Sequence, residues 1–303
     1  MRSFPISVLL VTLLLGRADR LSAQAGSSGM TFLKLGVGAR SLAMGEAATA
    51  EVSDIAGTYY NPAALAEAVS ADVSVMHKEW FQDVTSDYVG ARVECSRLSF
   101  GLGINATSVN GIQIRETPGP PEGTFDAHDV AFSLSSAYRY DSSLSVGINL
   151  KYLYEKILVN QANGWGLDLG VLYNTPWNLR LGFSASNIGS MTPLDNEASA
   201  LPLIFRLGAG YAIPVASLTG TVSLAADYVR FSQDDINHFH LGAEYLYGSS
   251  VAFRLGYQTG YESRGLTTGL GVHYGTVQVD YAFLPMKDDL GSTHTVSLAI
   301  LFH

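Results

Sequence analysis

Most of the chain alternates apolar residues with polar or small residues at a period of two. In the segment from Leu144 to Glu155, every second residue from Leu144 onward is apolar, and the others are mainly small or polar. Successive side chains of a β-strand point to opposite faces, so each such segment has one apolar and one polar face. The same pattern recurs in 98–105, 165–173, 179–186, 205–211, 222–228, 239–247, 251–258, 277–283 and 295–302. The pattern predicts an all-β region spanning residues 71–303.

The connections between these segments alternate in length. Short ones occupy 95–97, 141–143, 175–178, 214–217, 248–250 and 275–276. Longer ones occupy 81–85, 106–127, 157–163, 188–202, 232–238, 259–264 and 285–292. Short periplasmic turns that alternate with longer extracellular loops are typical of bacterial outer-membrane barrels. We therefore predict about 14 antiparallel strands closed into a transmembrane β-barrel, with both termini on the periplasmic side.

The alternation alone leaves the direction of the apolar face open, because soluble β-sandwiches alternate too. The composition of the other face favours an apolar exterior, since it is rich in Gly, Ser and Ala and carries isolated charges. A barrel of 14 strands is also too wide for side chains to fill as a dry core. The predicted lumen-facing charges are Lys151, Asp168, Arg180, Arg206, Asp227, Glu244, Arg254 and Asp280.

Both ends of the chain resemble those of exported barrels. Arg2, the apolar run 6–15 and Ala23-Gln24-Ala25 predict a signal peptide over residues 1–25, with the mature chain beginning near Gly26. The last strand places Leu298, Ile300 and Phe302 on one face, like the C-terminal signal read by the outer-membrane assembly machinery, although His303 follows Phe302. These features predict the outer membrane of a Gram-negative-type bacterium as the location.

Residues 26–70 have a different character. Residues 41–50 are rich in alanine and predict a short helix, and Asn61-Pro62 predicts a helix start, with Asn61 as the cap. Such small residues fit inside a barrel lumen with little steric demand. We predict an N-terminal hatch or plug within the barrel; the alternative is a loosely attached periplasmic leader.

We find no catalytic constellation in the sequence and predict no enzymatic activity, no cofactor and no metal. The net charge of −9 argues against a nucleic-acid partner, and the single cysteine, Cys95, excludes an internal disulfide. His238 and His240 lie two residues apart and His240 shares a face with Glu244, which makes a weak metal site geometrically possible. A calcium-binding loop at Asp288-Asp289 is a second alternative. Solvated side chains are the simpler interpretation of both.

Several motifs resemble the PorV/PorQ family of outer-membrane proteins, which is similar in fold to FadL-type fatty-acid transporters. The matching stretches are 32–40, 43–47, 60–65, 187–189, 201–202, 205–208, 280–283 and 291–294. The resemblance implies a barrel of 14 strands with an N-terminal hatch. The hatch motif residues are Gly36, Gly38, Ala39, Arg40, Met44, Gly45, Asn61, Pro62 and Ala63.

Two functions follow from this resemblance. The first is an accessory role in type IX protein secretion or surface attachment, with secretion proteins or secreted cargo as partners. The alternative is FadL-like passive transport of hydrophobic small molecules, such as long-chain fatty acids, through a movable hatch. A barrel with a purely structural role is a third possibility. The lumen face argues against an apolar ligand path, since its apolar exceptions are few: Leu153, Leu172, Leu246 and Leu301.

Overall fold

The computed structural model describes residues 29–51, 54–67, 71–80, 83–115, 117–194, 200–232 and 236–302. The predicted signal peptide and His303 lie outside these residues. Every strand pairs antiparallel with its neighbours in sequence, and the first pairs with the last, which closes a barrel of 14 strands and confirms the predicted architecture. The strands are β1 Ala71–Glu79, β2 Val84–Cys95, β3 Leu98–Ile114, β4 Gly123–Arg139, β5 Leu144–Ile157, β6 Asn160–Asn174, β7 Leu179–Met191, β8 Ile204–Val215, β9 Gly220–Phe231, β10 His238–Tyr247, β11 Val251–Thr259, β12 Leu266–Tyr274, β13 Val277–Pro285 and β14 Ser292–Phe302.

The apolar face of the strands is the outer wall of the barrel. Leu102, Leu134 and Leu207 are all more than half exposed, whereas the inward Ser135 and Ser184 are buried. Soluble proteins rarely expose large apolar surfaces, whereas here an apolar surface surrounds the barrel, as in the lipid-facing band of membrane barrels. Among the described residues, no helix is both long and apolar enough to cross a membrane.

The connections alternate in length as expected, but two predicted loops are largely strand. β3 continues to Ile114 and β4 begins at Gly123, so most of the predicted loop 106–127 belongs to a hairpin. Residues 157–163 contain only a tight turn between β5 and β6, at Leu158-Val159. The backbone ladder does not require apolar side chains, so strands continue beyond the apolar band, where the sequence pattern fades. We call the end that carries connections 96–97, 140–143 and 275–276 the short-turn end, and the opposite end the long-loop end.

An N-terminal segment, residues 29–51 and 54–67, lies inside the ring of strands. It contains one short α-helix, α1 (Ala39–Ala43), and 3-10 helices at Thr31–Lys34, Ile55–Tyr59 and Pro62–Glu67. α1 packs against β11–β14, and the last 3-10 helix packs against β3–β6 on the opposite side of the barrel. Contact with opposite walls places the segment within the lumen.

The helix predicted over residues 41–50 is shorter than expected. α1 ends at Ala43 because Gly45 and Glu46 both adopt left-handed backbone angles, with φ of 66° and 62°. The second expectation agrees with the structure: Pro62 begins a 3-10 helix, and the Asn61 Oδ1 accepts a hydrogen bond of 3.1 Å from the Ala63 amide.

The N-terminal segment runs along the lumen from one end to the other. Met30 packs with Met191 and Leu201 near the long-loop end, whereas Glu67 bonds Ser145 and Asn174 near the short-turn end. β1 begins and β14 ends at the short-turn end. The start of β1 and the end of β14 therefore lie at one end of the barrel, and Met30 lies near the other; the side of the membrane on which the two termini lie stays a prediction.

Candidate functional site

The predicted lumen charges lie on the inner wall, where most of them contact the N-terminal segment or one another. Lys151, Asp168, Arg206, Asp227, Glu244, Arg254 and Asp280 are all buried. Arg180 is half-buried, and its Nη1 donates to the Ala50 carbonyl at 3.2 Å. The inner surface and the N-terminal segment together therefore form the candidate functional site.

A buried charge network joins α1 to the wall. Arg40 Nε and Nη2 each donate to a Glu244 carboxylate oxygen at 2.9 Å, and Nη2 also lies 3.4 Å from Glu51 Oε2. Arg254 donates to Glu244 at 2.5 Å and to Asp280 at 2.7 Å. Burial lowers the pKa of the Arg40 guanidinium, but Glu244 and then Glu51 outweigh burial, so the net shift is upward and Arg40 stays charged. The bidentate pair of Arg40 with Glu244 anchors the segment to β10.

A second anchor lies on β9. One oxygen of Asp227, Oδ2, accepts hydrogen bonds from the Ala48 amide at 3.0 Å, the Thr49 amide at 2.9 Å and the Thr49 hydroxyl at 2.6 Å. Asn61 Nδ2 donates to the carbonyl of Thr49 at 2.9 Å and to that of Val171, on β6, at 3.0 Å. Hydrogen bonds to a buried carboxylate are among the stronger ones in proteins, so Asp227 fixes the middle of the segment.

Wall glycines allow the backbone of the segment to touch the strands. A Cβ added to Gly170 would run into Asn61 Oδ1 and lie 2.8 Å from Pro62 Cδ. A Cβ on Gly147 would overlap the peptide between Pro62 and Ala63, and one on Gly256 would overlap that between Met44 and Gly45. The predicted hatch residues Asn61, Pro62, Ala63, Met44 and Gly45 therefore lie directly against the inner wall.

The remaining hatch motif residues also contact the wall or shape the segment. The Gly36 carbonyl accepts from Lys78 Nζ at 2.8 Å, and the Ala39 amide donates to Ser297 Oγ at 2.8 Å. Gly38 precedes α1 with a φ of 84°, a conformation that favours glycine. All nine motif residues thus belong to the part of the segment that is packed inside the barrel.

An apolar group of side chains, which we call the mouth cluster, fills the lumen near the long-loop end. Met30, Phe32 and Leu33 of the segment supply one side. The wall and the loop between β7 and β8 supply the other side: Ala131, Leu153, Ala162, Met191 and Leu201. Leu35 of the segment and Leu194 of the loop pack against the cluster. Leu153 was predicted as a rare apolar lumen residue, but the sequence pattern missed Met30, Met191 and Leu201. Met30 and Leu201 lie outside the strands, where successive side chains do not alternate between two faces.

Cations and aromatic rings lie on the other side of the mouth. Arg264 Nη1 is 3.5 Å from Glu46 Oε1, and its guanidinium lies over the rings of Trp80 and Tyr261, at 4.9 and 5.0 Å. Burial raises the pKa of Glu46, but Arg264 and other neighbouring cations outweigh burial and the net shift is downward. Glu46 is therefore held as a carboxylate.

The two histidines considered as metal ligands belong to this aromatic group. His238 stacks on Tyr261 with ring centroids 4.2 Å apart, and His240 Nε2 lies 3.0 Å from the Tyr261 hydroxyl. Glu244 pairs with Arg40 and Arg254 instead. In the part of the chain that the structure describes, no three His, Cys, Asp or Glu side chains are grouped as metal ligands. Asp234 and Asp235, which precede these histidines in the sequence, lie outside that part.

A β-bulge interrupts the pairing of β6 with β7 beside the mouth cluster. The register shifts at Asp168, and Asn187 adopts a left-handed φ of 66°. The Asn187 amide donates to Asp168 at 2.7 Å, and Lys151 Nζ lies 2.8 Å from Asp168 and 2.5 Å from Asn187. Asn187 Nδ2 donates to the Pro202 carbonyl at 2.9 Å, which holds the loop after β7 over the lumen.

A small cavity lies between the segment and the wall. A cavity of about 20 Å³ lies beside Leu33, Tyr59, Tyr88 and Asn105. Sites for drug-sized ligands occupy ~300 Å³ or more, whereas a cavity of this size holds about one water molecule. This cavity is therefore too small for a drug-sized ligand.

Comparison with known proteins identifies related folds. The family model described as "Uncharacterised protein family (UPF0164)" matches residues 18–166. No curated protein matches the chain significantly. Among solved structures, the CymD monoaromatic hydrocarbon channel has a TM-score of 0.63 at 16% identity, over 89% of this chain and 98% of that one.

Two further structures give the same result. The Pseudomonas putida toluene transporter TodX has a TM-score of 0.63 at 13% identity, over 88% of this chain and 99% of that one. A Pseudomonas aeruginosa FadL homologue has a TM-score of 0.58 at 11% identity, over 88% and 97%. These comparisons support the FadL-like part of the resemblance, whereas the PorV/PorQ assignment stays a prediction. The chain has the fold of the FadL-like outer-membrane channels.

Proposed function

We propose that this protein is a passive transporter of small hydrophobic molecules in the outer membrane, with the N-terminal segment as its hatch. The mouth cluster carries the proposal, because it is an apolar site in a lumen whose other inward positions are mostly small or charged. Solved proteins of the same fold include a hydrocarbon channel and a toluene transporter. The comparisons favour this function over the accessory role in type IX secretion, and no catalytic step forms part of it.

The contacts of the segment suggest how the hatch works. Its middle and end are held to the wall by charge pairs and hydrogen bonds, whereas the side chains of Met30, Phe32 and Leu33 contact the wall through the apolar packing of the mouth cluster. A hydrophobic solute that enters from the long-loop end first competes with these three side chains for Leu153 and Met191. Its further passage requires the anchored middle of the segment to leave the wall. We place the long-loop end outside the cell and the short-turn end in the periplasm.

A polar substitution in the mouth cluster tests the proposal. We expect Leu153→Asn to lower the uptake of toluene and oleate roughly tenfold, since an unpaired amide in an apolar site costs about 1–3 kcal/mol. Uptake is measured in a bacterial host that lacks its own FadL-type channels, at matched surface expression. Leu246→Asn is the control, because Leu246 also faces the lumen but lies outside the mouth cluster. Equal uptake by both variants and the wild type would rule out the mouth cluster as the solute site.

A further inference from the structure

Two inward-facing carboxylates beside the mouth cluster have no ion-pair partner in the part of the chain that the structure describes. Asp129 on β4 lies directly opposite Glu155 on β5. Glu155 is only 8% exposed, and its Oε2 is a buried oxygen with no hydrogen-bond partner. Within the described residues, neither carboxylate forms an ion pair or a side-chain hydrogen bond. Two adjacent carboxylates that face a poorly solvated lumen repel each other, which costs free energy unless one of them takes up a proton or a cation lies between them.

The polar side chains that lie in register with this pair on neighbouring strands already have hydrogen-bond or ion-pair partners. Thr107 lies opposite Asp129, but its hydroxyl donates to Ser86 at 3.0 Å. Lys78, further along the row, donates to the Gly36 carbonyl, and Lys151, on the same strand as Glu155, pairs with Asp168. The other buried lumen carboxylates, by contrast, have partners: Asp168 and Asp280 pair with cations, and Asp227 binds two amides and a hydroxyl.

The carboxylate pair borders the mouth cluster. Ala131 and Leu153 are the next inward residues on the two strands, and Ala162 lies directly opposite Glu155 on β6. Two residues along a strand span about 7 Å. A molecule whose apolar part occupies the mouth cluster therefore reaches the two carboxylates with a polar group only a few bonds away.

From this juxtaposition we propose that Asp129 and Glu155 bind the protonated amine of a hydrophobic molecule, so that the transported class is apolar amines. An ammonium group has three donors and one positive charge, which match the free acceptors of two carboxylates. A neutral hydrocarbon offers these acceptors neither a donor nor a positive charge. This inference rests on the proposed function and adds the chemical class of the solute.

Calorimetry with matched ligands tests the inference. The full barrel is placed in nanodiscs at pH 7 and titrated with n-octylamine or with n-octanol, and partition into empty nanodiscs is subtracted. We expect the wild type to bind octylamine at least tenfold more tightly than octanol. In Asp129→Asn/Glu155→Gln this preference should disappear, while octanol affinity stays within about twofold. Glu122→Gln, at an exposed position in the connection between β3 and β4, should keep the preference.

The outcomes separate this inference from the proposed function. Equal affinity of the wild type for the two ligands, or a preference that persists in the double variant, would overturn the inference and leave the octanol site intact. Tight binding of calcium chloride that is lost in the double variant, with no preference for octylamine, would overturn it in favour of a metal site. Failure of octanol to bind, with octylamine still bound through the carboxylates, would contradict general hydrophobic transport but support amine recognition.

Discussion

Replacing Arg40 with alanine is expected to release the N-terminal segment from the wall while the barrel stays folded. The substitution removes both hydrogen bonds to Glu244 and the charge that balances Glu51. Removing one partner of a buried ion pair typically costs about 3–5 kcal/mol. Strand pairing does not involve Arg40, so this cost falls on the docking of the segment. We expect the ion conductance of the variant in planar bilayers to exceed that of the wild type at least tenfold.

Two further variants locate the source of this effect. Adding Glu244→Gln to Arg40→Ala should restore part of the lost docking free energy and lower the conductance again. The second substitution removes the carboxylate left without Arg40 and leaves Arg254 paired with Asp280. Arg97→Ala is the control, since Arg97 lies in an exposed turn at the short-turn end. A conductance of Arg40→Ala equal to that of Arg97→Ala would show that the charge network does not hold the segment.

Adding one methyl group to the wall at Gly170 should displace the segment at its other anchor. In Gly170→Ala the new Cβ collides with Asn61 Oδ1 and Pro62, and a strand cannot shift alone within a closed barrel. Asn61 then loses its bonds to Thr49 and Val171. We expect amide hydrogen exchange at Ala63 and Ala64 to accelerate at least tenfold, since overpacking of this kind costs about 1–3 kcal/mol.

Gly166→Ala provides a matched control on the same strand. A Cβ at Gly166 meets its nearest neighbour, Lys151 Cβ, at an ordinary contact distance of 3.7 Å. Exchange at Ala63 and Ala64 should therefore stay within about twofold of the wild type. Equal acceleration by the two substitutions would mean that the effect comes from the strand and not from contact with the segment.

The sequence predicted the barrel well because its outer wall follows one simple rule. Alternating residues such as Leu144, Val146 and Ile148 face lipid, and the period alone gives the strands and their number. The alternation ends where the strands extend beyond the apolar band. The hairpin of β3 and β4 therefore extended through a stretch that the sequence analysis assigned to a loop.

The candidate site was harder to predict because its contacts join distant parts of the chain. Arg40 and Glu244 were both singled out, but nothing in the sequence pairs residues that are 204 positions apart. Asp129 and Glu155 lie opposite each other on β4 and β5, next to two stretches that were predicted as loops, 106–127 and 157–163, so the alternation did not pair them. The mouth cluster combines irregular segments with inward strand positions, and only the folded chain brings these together.

Tethering the N-terminal segment to the wall tests most directly whether hydrophobic solutes pass only when this segment moves. Thr49→Cys and Asp227→Cys replace side chains whose oxygens lie 2.6 Å apart, and Cys95→Ser removes the native thiol. Uptake of toluene and oleate is measured with the disulfide formed and again after reduction, so that the reduced protein is its own control. We predict that the disulfide lowers uptake at least tenfold and that reduction restores it. Equal uptake in the two states would contradict a moving hatch and point to a path that bypasses the segment.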